Sequence, residues 1–275
     1  MALQASGLSC QTLFSRRKAI LRAISRYRDE MISKARLKEL AAYRLQKRCD
    51  DEEVFVVEGP KMCAEAMASG FVIRTVCATT AWLQDHAAKV AGIEVQEVSQ
   101  TDLERMSNMK SPNQVWMLVK RKKVKASDDG DAPTLALDCI QDPGNMGTML
   151  RTADWYGIRR VVCSADTVSC YNPKVVQASM GAIFRTKVEY TSLPQWLATC
   201  QRPVYGATLV GKSLHEVEMP HGGAVLLIGN ESRGISAEAM AHVTHPVLIP
   251  NRGGTAESLN ASVAAGILMD RLWNN

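Results

Sequence analysis

The sequence lacks the marks of several large protein classes. No run of about 18 apolar residues occurs among its 275 residues, so no transmembrane helix and no membrane partner are predicted. None of its eight cysteines forms a C-x-x-C pair, and several stand in apolar, strand-like runs. This usage is typical of reduced thiols in an intracellular protein and argues against a disulfide framework or a zinc site. No metal is therefore predicted.

Acidic residues are absent from the first 28 positions, which carry six basic residues. An acid-poor segment with Arg and Ser is typical of a mitochondrial transit peptide, but the amphipathic pattern here is weak. We therefore interpret residues 1–30 as a basic N-terminal extension. A cytoplasmic location is predicted, and a mitochondrion or another organelle is the alternative if this segment is a transit peptide.

Positive charge is concentrated in the first half of the chain. Residues 1–125 carry 22 basic and 14 acidic residues, whereas residues 126–275 carry 11 basic and 14 acidic residues. A basic first half indicates a region that binds a polyanion such as nucleic acid. Two solvated helix faces would have the same composition, so charge alone leaves both explanations open.

The hydrophobic pattern predicts two α/β units. Residues 31–120 alternate between strands and helices, and residues 121–133 are charged, contain Gly and Pro, and indicate a linker. In the first unit we predict strands over 54–58, 73–78, 93–98 and 115–119, a helix over 34–47, and a short helix capped by Thr101.

Apolar strands separated by helices continue over residues 134–275. This pattern predicts a mostly parallel sheet that is covered on both faces. The strands are predicted at 135–140, 160–164, 188–191, 204–209, 224–229 and 246–249, and the helices at 146–156, 173–183, 193–200, 237–243 and 258–273. Ser258 is the predicted N-cap of the last helix.

One nucleotide-binding fingerprint is absent from the sequence, and another is present without the helix that it requires. G-x-G-x-x-G is absent, which disfavours a dinucleotide-binding unit. Gly206 to Ser213 does match G-x-x-x-x-G-K-[ST], but a P-loop needs a long helix directly after it. Pro220 follows within two turns and two glycines come next, so an NTPase is disfavoured.

Polar residues and glycines gather after three of the predicted strands. The segments are 142–153, which follows an apolar run, and 226–235 and 248–260, which each begin with the end of one. Because open α/β sheets bind ligands at the carboxyl ends of their strands, we predict a site at this edge.

Together the three segments resemble the SpoU (TrmH-like) family of RNA ribose 2′-O-methyltransferases in the SPOUT superfamily. The matching motifs are D-P-G-N-x-G-x-x-x-R-T-A, G-N-E-x-x-G-I and I-P followed by E-S-L-N-A-S-V-A, in this order within residues 135–272. Residues 31–120, with the turn at Glu58-Gly59-Pro60, resemble the ribosomal-protein-like substrate-binding domain of many members.

The resemblance implies a fold, a cofactor and a set of site residues. Residues 134–275 would form a SPOUT methyltransferase domain with a deep trefoil knot, preceded by an RNA substrate-binding domain, and a homodimer would complete the site. The implied cofactor is S-adenosyl-L-methionine, contacted at Thr208, Gly229, Ile249 and Leu259. The implied catalytic residues are Asn145, Arg151, Glu231, Ser258 and Asn260.

The resemblance also implies that Arg151 activates the ribose 2′-hydroxyl, with Ser258 and Asn260 orienting it and Glu231 ordering the loop or Arg151. Deprotonating an arginine at pH 7 costs about 7 kcal/mol from a reference pKa near 12.5. A charged Arg151 that binds phosphate or the developing alkoxide has no such cost. Both roles stay open at this point.

We therefore predict an S-adenosylmethionine-dependent RNA 2′-O-methyltransferase, with rRNA favoured over tRNA as substrate. The alternative from another class is an inactive RNA-binding factor in ribosome assembly that kept the fold. Retention of Asn145, Arg151, Glu231 and Asn260 weighs against that alternative, since a pure binding protein would not require all four.

Overall fold

The computed structural model describes residues 32–122, 132–218 and 223–273. These residues belong to two compact units, Met1–Lys120 and Arg121–Asn275. The predicted N-terminal extension and most of the predicted linker lie outside the described residues.

The first unit contains a four-stranded mixed sheet with the strand order β1-β4-β2-β3. Strand β4 runs antiparallel to both of its neighbours, and β2 pairs with β3 in parallel. Its elements in chain order are α1 (Lys34–Ala41), α2 (Gln46–Asp51), β1 (Val54–Glu58), α3 (Pro60–Ala68), β2 (Ile73–Ala78), α4 (Thr80–His86), β3 (Glu94–Glu97), α5 (Gln100–Met106) and β4 (Val115–Lys120).

Two helix predictions in this unit are wrong. The single helix expected over residues 34–47 is divided by a 3-10 turn at Ala42–Arg44, after which Leu45 adopts an extended conformation. The N-cap of α5 is Ser99 and not Thr101, because the Ser99 hydroxyl accepts from the Asp102 N–H and the Asp102 carboxylate accepts from the Ser99 N–H. This reciprocal capping box satisfies two donors at once, which a cap at Thr101 would not do.

The second unit contains a six-stranded sheet in which every described pair is parallel, with the order β10-β8-β9-β5-β6-β7. Its elements are β5 (Thr134–Leu137), α6 (Pro143–Trp155), β6 (Arg160–Ser164), α7 (Pro173–Ala178), β7 (Lys187–Thr191), α8 (Leu193–Thr199), β8 (Val204–Ser213), β9 (Val225–Ile228), α9 (Ala237–Met240), β10 (His245–Leu248) and α10 (Ala261–Trp273). The predicted α/β class is confirmed, and the trefoil knot stays a prediction.

The helix expected over residues 173–183 ends early. Helix α7 stops at Ala178, Met180 and Gly181 adopt positive φ, and a 3-10 turn follows at Ala182–Phe184. Two consecutive residues with positive φ cannot continue a right-handed helix.

Helices α6 and α7 of the second unit pack so closely that no side chain fits at one of their contacts. A Cβ on Gly147 would lie 2.5 Å from the Cβ of Ala178 and 2.8 Å from the carbonyl oxygen of Val175. Gly147 therefore allows α6 to approach α7. Within the described ranges, each helix is too short or too polar to cross a bilayer.

Candidate functional site

The site is built at the start of α6, directly after the central strand β5. Asp142 is the N-cap of α6, and its carboxylate accepts from the Asn145 N–H at 2.7 Å. Pro143 occupies the first turn, where its missing N–H has no consequence. This arrangement places the Asn145 side chain in a buried position at the carboxyl edge of the parallel sheet.

Three predicted site residues from three separate segments form one hydrogen-bonded chain. Asn260 Nδ2 donates to Asn145 Oδ1 at 2.9 Å, and Asn145 Nδ2 donates to Glu231 Oε1 at 2.7 Å. These bonds join residues separated by 115 and 86 positions in the sequence. We call Asn145, Glu231 and Asn260 the amide–carboxylate cluster.

The start of α10 determines which group donates and which accepts in this series of hydrogen bonds. Asn260 Oδ1 accepts from the Ser262 N–H at 2.9 Å, the Ser262 hydroxyl at 2.7 Å and the Val263 N–H at 3.3 Å. With its oxygen occupied by donors, Asn260 can only donate toward Asn145. Asn145 must then donate toward the Glu231 carboxylate, which is exposed to solvent.

Asn260 is therefore the residue that caps α10, and the prediction that Ser258 is its N-cap is wrong. The helix begins at Ala261, three residues later than expected. Ser258 is exposed and makes no hydrogen bond with any residue that the structure describes. Asn260 stands in the cap position, where its side chain satisfies free N–H groups of the first turn.

Arg151 is not part of the amide–carboxylate cluster. It is exposed on α6 and makes no hydrogen bond or ion pair within the described part of the chain. Trp155, one turn further along, lies on the same face of α6 and is 84% exposed. Within a single chain, this predicted catalytic residue faces outward.

The loop that carries Glu231 is tied to the end of β5. Asn230 Nδ2 donates to the Cys139 carbonyl at 2.9 Å, and the buried Asp138 carboxylate accepts from the Ser236 N–H at 2.7 Å. Asp138 and Asn230 are not among the site residues predicted from the sequence. The available signal was an acid directly after a fully buried strand, where only an internal partner can compensate for its burial.

Gly229 has a steric role in the same loop. A Cβ at this position would lie 2.2 Å from the carbonyl carbon of Gly234 and from the nitrogen of Ile235. The loop folds back on itself here, with paired backbone bonds of 2.9 Å between Asn230 and Gly234. Glycine is required for this turn whether or not a ligand binds.

A thiol and a carboxylate lie on the other side of the loop. The hydrogen bond between Cys139 and Asp166 raises the pKa of the buried Cys139 thiol and lowers the pKa of the Asp166 carboxyl. Ser164 also donates to Asp166, at 2.6 Å. Cys139 is therefore a neutral thiol at pH 7.

The predicted cofactor residues lie on three neighbouring strands or directly after them. Thr208 is in β8, Gly229 follows β9, and Ile249 follows β10. The β8–β9 pairing ends at Gly206 and Leu227, each two residues before the predicted cofactor residue of its own segment. Leu259 lies just before α10 and is 48% exposed. No hydrogen bond joins any two of these four residues, all of which lie in the described part of the chain.

The segment that matches a P-loop is a strand. Gly206 to Ser213 lies within β8, and Lys212 pairs with Val247 of β10. Thr208 Oγ1 donates to the Val210 carbonyl at 2.7 Å. In the described residues up to position 218, turns and not a helix follow this segment. The segment therefore lacks the long helix that a P-loop requires directly after its glycine-rich loop, as the sequence predicted.

Comparisons with known proteins agree with the motifs. Residues 132–270 match the model of the SpoU rRNA Methylase family, and residues 34–116 match that of the MRM3-like substrate binding domain. The 23S rRNA (guanosine(2553)-2'-O)-methyltransferase RlmP of Bacillus subtilis is 26% identical over 247 residues, which cover 88% of this chain and 98% of the relative.

Solved structures are similar over nearly the whole chain. A protein of the TrmH family from Porphyromonas gingivalis is 36% identical with a TM-score of 0.79, and the match covers 89% of this chain and 99% of the other. An AdoMet-bound rRNA methyltransferase from Sinorhizobium meliloti is 26% identical with a TM-score of 0.78, covering 86% and 92% of the two chains.

Proposed function

The chain belongs to the SpoU rRNA methylase family, and from this premise we propose that it transfers a methyl group from S-adenosyl-L-methionine to a ribose 2′-hydroxyl of RNA. The observation that carries the proposal is the amide–carboxylate cluster. Three segments that are distant in sequence deliver Asn145, Glu231 and Asn260 to one hydrogen-bonded chain at the ligand-binding edge of a parallel sheet.

The residues at this edge suit the cofactor chemically. Leu259 is an exposed apolar side chain, Ile249 is half-buried, and Gly229 adds backbone without a side chain. Apolar walls next to backbone polar groups are what a nucleoside-like ligand requires. When bound, the cofactor supplies an electrophilic methyl group on a sulfonium, and Thr208, Gly229, Ile249 and Leu259 would hold it.

The protein's own residues would prepare the ribose hydroxyl. A hydroxyl is a weak nucleophile and must lose its proton as it reacts. Because Glu231, Ser258 and Leu259 at this edge are exposed, the proton would pass to solvent water. We assign Arg151 to stabilise the developing alkoxide or its adjacent phosphate as a charged guanidinium, since the neutral form costs about 7 kcal/mol at pH 7. Asn145 and Asn260 fix the position of Glu231, and Ser258 would orient the hydroxyl.

A homodimer accounts for the outward position of Arg151. Asn145 at the start of α6 bonds Asn260 before α10, and Tyr156 after α6 bonds Asp270 near the end of α10 at 2.9 Å. The two helices thus run side by side in the same direction. Their outer faces expose Trp155, Val263 and Ile267, by 84%, 49% and 37%. A second copy packed on this apolar surface would receive Arg151 at its own site.

The RNA is proposed to be ribosomal, because RlmP acts on 23S rRNA and the chain covers 98% of that relative. We assign RNA binding to the domain of residues 31–120, the linker to 121–133 and catalysis to 134–275. We propose a cytoplasmic location, which the seven free cysteines among the described residues support.

The primary test maps 2′-O-methyl positions in total RNA from cells with and without this protein. We expect one or a few ribosomal positions to lose their methyl group when the protein is absent. An unchanged methylation map in every RNA class would overturn the proposed activity, and a change confined to tRNA would overturn the rRNA assignment.

A test of Arg151 uses single-turnover methyl transfer by Arg151→Ala and Arg151→Lys. The alanine variant should lose about 10²–10³ in rate, as for other preorganised electrostatic groups, with unchanged cofactor affinity. Lysine should rescue poorly, since it lacks the guanidinium fork. Partial rescue with a shifted pH profile would instead indicate that residue 151 acts as a base.

Mixed dimers test whether Arg151 serves the partner's site. Arg151→Ala and Glu231→Gln, each inactive alone, are unfolded, mixed and refolded together. If the site is shared, half of the dimers are mixed and one of their two sites is intact, so about a quarter of the wild-type activity returns. No recovery would show that each chain uses its own Arg151.

A further inference from the structure

Arg233 is a cation in the same loop as Glu231 that the site residues above do not include. Asn230 Oδ1 accepts from the N–H groups of Ser232 and Arg233, at 3.0 and 3.1 Å, which fixes the backbone of this turn. Because Asn230 is also tied to the Cys139 carbonyl, the turn is anchored to the end of β5. Arg233 is thus held at a set place two residues after Glu231.

The Arg233 side chain is oriented by a hydrogen bond to a thiol and not by a salt bridge to a carboxylate. Its Nη2 donates to Cys139 Sγ at 3.0 Å, and no carboxylate of the described residues forms a salt bridge with it. The thiol is neutral because its hydrogen bond to Asp166 and its burial raise its pKa. A neutral sulfur is only a weak acceptor, so it orients the guanidinium without compensating for the positive charge.

The nearest competing acid is already occupied. Asp166 accepts from the Ser164 hydroxyl at 2.6 Å and from the Cys139 thiol, and it acts on Arg233 only as a neighbouring charge. Arg233 is exposed, and the fork of its guanidinium has further donors available. An exposed and oriented guanidinium that forms no salt bridge with the described residues is suited to bidentate binding of a phosphate.

We propose that Arg233 binds a backbone phosphate of the RNA next to the nucleotide that is methylated. The inference rests on the proposed methyl transfer to RNA and deepens it. A ribose 2′-hydroxyl lies beside the phosphodiester of its own nucleotide, so an RNA whose hydroxyl reaches the amide–carboxylate cluster brings phosphate to the same loop. Arg233 positions the substrate and takes no part in proton transfer.

The test measures kcat and KM for methyl transfer to total RNA from cells that lack the protein, over a series of potassium chloride concentrations. Arg233→Ala should raise the KM for RNA by about tenfold, as for one charge-assisted contact, with little change in kcat. The slope of log KM against log salt should fall by roughly 0.7–0.9, the contribution of one phosphate contact. Arg233→Lys should retain the slope and recover part of the KM.

The matched control is Arg159→Ala. Arg159 is exposed and directly precedes β6, at the opposite edge of the same sheet. This change removes the same charge from the same unit and should alter neither KM nor the salt slope. Cofactor affinity, measured by calorimetry, should be equal in all variants.

Two results would overturn the inference. An Arg233→Ala enzyme with wild-type KM and salt slope would show that no phosphate is bound there. Lower thermal stability and cofactor affinity with an unchanged salt slope would show that Arg233 only braces Cys139. If the wild-type protein itself transfers no methyl group, the proposed function fails first, and this result is distinct from both.

Discussion

Glu58 and Glu231 occupy comparable places, each at or just after the carboxyl end of a fully buried strand, but their surroundings differ. Glu58 is 7% exposed, and its carboxylate accepts from the Ser107 hydroxyl and from the Asn108 N–H. Glu231 is exposed, with one oxygen bonded to Asn145. The Glu58 carboxylate has internal partners on both oxygens and holds a loop in place. The Glu231 carboxylate has one oxygen outside the Asn145 bond and can bind a ligand with it.

Among the changes that test this comparison, neutralising Glu231 should have the largest effect, and the affected quantity is the rate of methyl transfer. Glu231→Gln keeps an oxygen for the Asn145 bond and removes the charge that would order Arg151, so methyl transfer should fall by about 10² with unchanged thermal stability. Single-turnover rates and thermal melts check it. Glu238→Gln, an exposed charge change on α9, is the control. A loss of stability in Glu231→Gln that Glu238→Gln does not show would place Glu231 with Glu58 as a structural residue.

Truncating Glu58 tests the other half of the comparison. Glu58→Ala leaves the Ser107 hydroxyl and the Asn108 N–H without their partner, which should lower the free energy of unfolding by about 1–3 kcal/mol. Urea denaturation measures this loss. The rate of methyl transfer from bound RNA should stay at the wild-type value. A rate loss as large as that of Glu231→Gln would contradict a purely structural role.

The pH dependence of the free energy of unfolding gives a second test of the structural role of Glu58. Burial raises the pKa of Glu58 above its ordinary value of 4.5, so folding favours the protonated form. Its contribution to stability is complete below about pH 4.5 and is lost as the pH rises through the raised pKa. The free energy of unfolding of wild type relative to Glu58→Gln should therefore decrease with rising pH in that window.

Glu52 offers a control of opposite sign in the same unit. The hydrogen bond from Tyr43 and the contacts with Arg74 lower the pKa of the Glu52 carboxyl. The contribution of Glu52 is present above its unfolded pKa and is lost as the pH falls through the folded one. If Glu52→Gln and Glu58→Gln show the same trend, one of the two explanations is wrong, and the sign of the trend identifies which.

The smallest expected effect concerns Lys212, the charged residue of the P-loop-like segment. It lies in β8 and pairs with Val247, so Lys212→Ala should leave methyl transfer within about threefold. Activity assays and limited proteolysis with and without ATP check this expectation. Abolished activity together with protection of the segment by ATP would revive the NTPase interpretation.

Buried strands were the elements that sequence predicted best. The bounds expected over 54–58, 73–78 and 160–164 agree with β1, β2 and β6. Each is a short apolar run between turn signals, and a strand buried in a sheet requires little more than this pattern. Helix starts were less predictable, because several neighbouring residues have similar propensity to cap and only one of them meets the free N–H groups.

The α/β class and the three motifs could be predicted from the sequence, because the alternation of strands and helices and the motif residues are local properties of the chain. The resemblance carried by those motifs implied that Asn145, Glu231 and Asn260 share a site. How these side chains contact one another depends on the tertiary packing. Ser258 and Asn260 are both acceptable caps from sequence, but the packing of α10 beside α6 brings only Asn260 to Asn145. The same packing turns Arg151 outward, since a helix presents residues six positions apart to different sides.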